Sequence, residues 1–190
     1  MKMTRLACLC SAVLALLAEP AAATTLSFAT PATAVPVGQA FTLDVLVTDA
    51  ADLYAFQFDI AFDPTLVQAT GVQEGGFLSA GGATSFLPGS IDNLVGTVSF
   101  TAGTLTGPGP GATGNGVVAH LSFQALAPGQ GALSFGNVVL LDSALGEIPT
   151  STLAGSLTVA AVPEPASAAL LSLGLAGLAA GLRRRPRIGC

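Results

Sequence analysis

Between Arg5 and Arg183 the chain contains neither lysine nor arginine. All six basic residues sit at the ends: Lys2 and Arg5 before the first apolar run, and Arg183, Arg184, Arg185 and Arg187 after the last. The body between them, Thr24 to Val162, holds nine carboxylates (Asp44, Asp49, Asp52, Asp59, Asp63, Glu74, Asp92, Asp142 and Glu147) and a net charge of −9. A surface without cations cannot neutralise phosphates and release their counterions, so nucleic-acid binding and adhesion to anionic lipid are excluded. Self-repulsion that keeps the domain soluble explains the acidic balance, and a bound cation such as calcium is the alternative reading.

Cysteine is missing from the body as well. Cys8 and Cys10 lie in the first apolar segment and Cys190 is the last residue, which excludes disulfides, thiol chemistry and cysteine-zinc sites in the body. There is no tryptophan and one tyrosine, Tyr54, so a sugar-stacking platform of the usual aromatic kind is weakly supported. Helical periodicity of three turns or more is absent from the body.

What is present begins with two terminal runs, which carry most of the excess behind the mean hydropathy of +0.71. Lys2 and Arg5 precede the apolar stretch Leu6 to Ala18, and Ala21-Ala22-Ala23 follows as a small-residue site. This is a signal peptide over 1–23, with cleavage expected between Ala23 and Thr24. Cys8 and Cys10 precede completion of the apolar run, where a lipid-attachment cysteine would be misplaced.

The other end reads Val162-Pro163-Glu164-Pro165, then Ala166 to Leu182 without a charge, then the arginine cluster. Seventeen residues of helix rise about 25 Å, at the short limit for a spanning segment. The positive-inside rule keeps the arginines cytoplasmic and the body outside. These parts, in this order, resemble the PEP-CTERM sorting signal. The resemblance implies recognition by the membrane transpeptidase exosortase, cutting near Pro163, Glu164 and Pro165, in a host of Gram-negative type that makes an exopolysaccharide. The plain alternative is a membrane anchor over 166–182 with its basic tail 183–190.

Within the body, apolar residues alternate and turn formers interrupt them at short intervals. Tyr54, Phe56, Phe58, Ile60 and Phe62 form one apolar face; Phe41, Leu43, Val45 and Val47 form another; Val117, Ala119, Leu121, Phe123 and Ala125 a third. Further strands are expected over 26–29, 66–72, 83–87, 94–102, 132–141 and 152–160, about nine in all. Breaks are expected at sites including Asp63-Pro64, Gly75-Gly76, Pro88-Gly89, Gly107 to Gly116 and Pro128 to Gly131. Many short strands without intervening helices predict an all-β, antiparallel sandwich over 24–160.

Two blocks carry a second resemblance. Ala55 to Val67, an alternating aromatic strand ending in Asp63-Pro64 before a leucine-bearing strand, resembles the cohesin-domain pattern. Gly116 to Ala125, with Gly129 and Leu133 to Leu141, is similar to the later cohesin strands. The resemblance implies a nine-stranded jelly roll related to carbohydrate-binding modules. It also implies a possible dockerin partner, a small calcium-loaded module bound through one sheet face. No binding residue is marked by a match, so the binding site stays unknown.

For catalysis the body offers one histidine, His120, expected to point to solvent, with Ser122 on the same strand face and no identifiable acid to orient the ring. No catalytic residue is assigned, and no enzyme activity is expected. Asp49 and Asp52, expected in a loop, could lend oxygens to calcium, but no run of carboxylates completes the six or more ligands needed, and turn capping explains them and Asp63. No metal ligand and no cofactor is assigned. The expected function is that of an exported surface or matrix module that holds a protein or an exopolysaccharide outside the cell, a polysaccharide hydrolase being the outside alternative.

Overall fold

The computed structural model describes residues 23–162, together with 174 and 175. The expected signal segment through residue 22, the Pro163-Glu164-Pro165 motif, nearly all of the 166–182 segment and the basic tail lie outside the described residues. Among the described residues no helix is long and apolar enough to cross a membrane.

Over residues 23–162, twelve strands and one helical turn follow one another: β1 (Thr24–Ala29), β2 (Val35–Pro36), β3 (Ala40–Leu53), β4 (Ala55–Ala61), β5 (Val67–Glu74), α1 (Gly76–Ser79), β6 (Thr84–Leu87), β7 (Ser90–Asp92), β8 (Thr97–Leu105), β9 (Ala112–Ala125), β10 (Gly129–Leu141), β11 (Thr150–Thr152) and β12 (Gly155–Ala160). One sheet runs β11-β1-β3-β9-β5, the other β2-β12-β10-β4-β8-β6 with β7 also on β8. Pairing is antiparallel throughout except for two short parallel contacts, β1 with β11 and β2 with β12. The result is the jelly-roll sandwich that the alternation implies, its extra strands being pieces of two or three residues.

The apolar faces meet between the sheets. Phe58, Ile60 and Leu140 from one sheet and Leu43, Leu121 and Phe123 from the other are buried there. Aromatic contacts bind the layers: Phe28 stacks on Phe135 with centroids 4.1 Å apart, and Phe62 meets Phe123 edge-on at 5.3 Å. Removing a side chain the size of Phe58 from water stabilises the fold by about 1.5–3 kcal/mol.

Several expected boundaries are corrected. The strand expected over 94–102 begins at Thr97, because Asp92 Oδ1 accepts the N–H groups of Leu94 (2.8 Å) and Val95 (3.2 Å) and Gly96, at φ 81°, closes the turn. Leu94 is therefore 93% exposed. Residues 112–116, expected within a flexible connection, belong to β9 because Ala112 and Gly114 pair with Leu53 and Ala50 of β3, a long-range pairing that overrides weak local propensity. The single strand expected over 152–160 is two, β11 in one sheet and β12 in the other. On β9, Val118 rather than Val117 is buried, since a bulge between Ala119 and Val117 shifts the alternation by one residue.

Candidate partner-binding face

The outer face of the second sheet is built by the side chains that alternate away from the core. On β4 these are Ala55, Gln57 and Asp59, between buried Phe56, Phe58 and Ile60. Ala102 and Thr104 of β8, Val139 and Leu141 of β10, and Ser85 and Leu87 of β6 continue the surface across four strands. All of these except Asp59 line a shallow cavity of about 210 Å³ that reaches Phe56 beside Gly103 and is lined by no charged side chain. A Cβ at position 103 would lie 2.7 Å from the Phe56 ring, so glycine is what lets that ring take its place. Leu87 also borders a second hollow with Pro88 and Phe100, extending the apolar surface towards the sheet edge.

Asp59 shapes this face from its middle strand. β8 and β10 each bulge beside it: two β8 residues, Ser99 and Phe100, oppose Asp59, and two β10 residues, Asn137 and Val138, oppose Phe58. Phe100 (φ 59°) and Asn137 (φ 47°) take left-handed conformations that side-chain-bearing residues seldom adopt. The Asp59 carboxylate accepts both, the Phe100 N–H at 2.7 Å and the Asn137 side-chain amide at 2.5 Å. Through this bulge Phe100 turns out to solvent at 54% exposure. Its neighbouring positions gave no sign of this in the alternation, because a bulge is defined only by two strands together.

The residues singled out in the sequence lie elsewhere. His120 projects from the outer face of the first sheet, where its Nδ1 lies 2.6 Å from Asp44 Oδ1 on the paired strand β3. An acid therefore does orient the histidine, contrary to expectation; the register β3–β9, invisible in one dimension, brings them together. Ser122 shares that face without a hydrogen bond to the ring. Asp49 and Asp52 lie within β3, not in a loop, at positive φ values of 55° and 59° where the strand bulges. Asp52 does not cap a neighbouring turn: its carboxylate accepts the Gly111 N–H (2.5 Å) and the Ser143 hydroxyl (2.6 Å) and N–H (3.2 Å), tying three distant segments. These bonds hold its carboxyl below the ordinary 3.8, the Ser143 hydroxyl foremost. Asp63 caps its own turn as expected, accepting the Thr65 hydroxyl and N–H, and is lowered by the same cause. Tyr54 is half-buried and donates to the Gly107 carbonyl at 2.5 Å, pinning the loop rather than presenting a platform. Among the described residues no group of three or more His, Cys, Asp or Glu side chains could hold a metal ion.

Fold and face together define a jelly-roll β-sandwich module with one largely apolar sheet surface, on which Asp59 is tied to the neighbouring bulges. The cohesin-domain family model matches residues 26–159, and the chain belongs to that family. The model of the PEP-CTERM protein-sorting motif matches residues 161–185. The two define an exosortase-sorted surface protein carrying a cohesin module. The sandwich is similar to a non-cellulosomal cohesin from the hyperthermophilic archaeon Archaeoglobus fulgidus (TM-score 0.57, 13% identity, covering 78% of this chain and 98% of that one). It is also similar to the second type II cohesin module of a cellulosomal adaptor scaffoldin of Acetivibrio cellulolyticus (TM-score 0.59, 16% identity, 74% and 98%). A third similar structure is a cohesin from a type I cohesin–dockerin complex of Clostridium thermocellum (TM-score 0.57, 13% identity, 73% and 99%). Among curated proteins none matches the sequence.

Proposed function

We propose that this protein is a non-enzymatic binding module, held at the cell surface, that captures a protein partner on the outer face of the β6-β8-β4-β10 sheet. The observation that carries the reading is the composition of the hollow on that face: four strands present Ala, Val, Leu, Ser, Thr and Gln around it, without a charge. Burial of such a surface against a complementary one is favourable, whereas a second copy of a body with charge −9 is repelled. A dockerin-like module is the partner the cohesin family suggests.

The signal peptide directs export and is then removed by cleavage between Ala23 and Thr24. The 166–182 segment then anchors the chain, with Arg183, Arg184, Arg185 and Arg187 in the cytoplasm, until exosortase cuts near Pro163-Glu164-Pro165 and sends the body to the surface or the surrounding matrix.

The test is capture of partners by the immobilised full-length chain from the secreted fraction of its host, with and without a calcium chelator. Leu87→Asp with Val139→Asp serves as the comparison, both positions being exposed and unable to unfold the core. A protein retained by the parent chain, lost from the double variant and released on chelation supports a dockerin-like partner. Equal retention by both chains would sink the assignment of this face.

A further inference from the structure

A second site lies on the opposite side of the sandwich, sharing no residue with the apolar face and independent of it. Where β5 ends at Glu74, the chain turns into α1 and lies against β9, with the Gly75 N–H donating to the Val118 carbonyl at 3.0 Å. Between α1 and the outer surface of β9 runs an open groove of about 580 Å³. Phe77 forms one wall, lying over Gly116, where a Cβ would come 2.6 Å from its ring. Along the floor stand Thr113, Asn115 and His120. Seven steps of strand at about 3.3 Å each make that floor roughly 23 Å long.

Each polar group on the floor is half used and half open. Asn115 Oδ1 accepts the Asp49 N–H at 2.7 Å, which fixes the amide and leaves its Nδ2 to donate outwards. Thr113 Oγ1 accepts the Asp52 N–H at 3.1 Å and keeps its own hydrogen. Asp44 accepts from His120 Nδ1, because a carboxylate has no proton to give, which fixes the ring and leaves Nε2 to bond a ligand. The groove thus combines side-chain donors, a fixed imidazole nitrogen and an aromatic wall.

That combination narrows the ligand. A body without lysine or arginine has nothing to hold a phosphate, sulfate or uronate. A peptide adding as a strand needs a free edge, whereas β9 runs between β3 and β5 and the turn into α1 takes the Val118 carbonyl beyond the end of β5. A purely apolar ligand would leave three polar groups facing it unpaired. A linear, uncharged, polyhydroxylated chain satisfies all of them, its hydroxyls pairing with the floor and its C–H face with Phe77. We infer that the α1–β9 groove is a binding site for a neutral polysaccharide.

The test is native electrophoresis of the full-length chain in non-ionic detergent through gels containing dextran, starch, galactomannan or mixed-linkage β-glucan, with alginate as the acidic control. Retardation is expected in at least one neutral gel and not in alginate, with dissociation constants at least tenfold weaker for Phe77→Ala and for His120→Ala. His120→Ala alters an exposed side chain, so its melting temperature should match the parent and it decides the matter if Phe77→Ala fails to fold. Unchanged migration in every neutral gel, equal retardation by alginate, or undiminished binding by a folded His120→Ala chain overturns the inference. Capture of a protein partner on the other face is unaffected by either result.

Discussion

Asp59 accepts a 2.7 Å hydrogen bond from the backbone N–H of Phe100, a residue held at φ 59° on the neighbouring strand. The same carboxylate accepts from Asn137 on the other side, so one acidic residue on β4 secures the bulges of both its neighbours. A bulge strands one N–H outside the ladder, and an uncompensated donor in a partly covered site is costly. The carboxylate in the middle of an otherwise uncharged face is accordingly a structural part of that face.

Asp59→Ala should destabilise the sandwich by about 1–3 kcal/mol, the cost of leaving such donors without an acceptor. Urea unfolding of the full-length chain reads this directly. A loss below a few tenths of a kcal/mol would show that water replaces the carboxylate without penalty.

Gly103→Ala places a methyl against the Phe56 ring, 2.7 Å from two of its carbons. Overpacking of this kind costs about 1–3 kcal/mol. Combining it with Phe56→Leu should cost less than the sum of the two single changes, because the pair shares one space. Strict additivity in a double-mutant cycle is the result that would contradict the contact.

Two phenylalanines should separate cleanly under mutation. Phe58, fully buried between the sheets, should cost about 3–5 kcal/mol on truncation to alanine. Phe100, turned outwards by its bulge, should change stability by no more than about 0.5 kcal/mol. Comparable losses at both positions would mean that the bulge does not expose Phe100 in solution.

Acid should erase the contribution of Asp52. Its folded-state pKa lies below the ordinary 3.8, so the carboxylate stabilises the fold at neutral pH and loses that role as pH falls through the folded value. The melting temperature of Asp52→Asn should therefore trail the parent most near neutrality, and the gap should close as pH drops below about 4. A gap that is constant with pH would falsify the linkage, pointing to lost geometry rather than lost charge.

The strand alternation from Phe56 to Phe62 and from Leu43 to Val47, the Asp63 turn and the lack of cations all declared themselves in one dimension. Each depends on a residue's chemistry or on its near neighbours, and a half-buried strand imposes a period of two on any sequence that forms it. The family blocks Ala55 to Val67 and Gly116 to Ala125 were legible for the same reason. So was the sorting motif, which is read as a local pattern.

Everything that depends on register waited for the third dimension. Asp44 meets His120 across 76 residues of sequence, Asp52 reaches Ser143 across 91, and Asp59 finds Asn137 across 78. Leu94 and Val95 look like strand residues until Asp92 folds their N–H groups into a turn, and residues 112–116 look like a loop until β3 pairs with them. Composition and local alternation settled that the chain folds as a sandwich of strands. Which side chains stand together on either face was decided by pairing, since hydrogen bonding between distant strands sets where each bulge falls and a shift of one residue moves every later side chain to the opposite side.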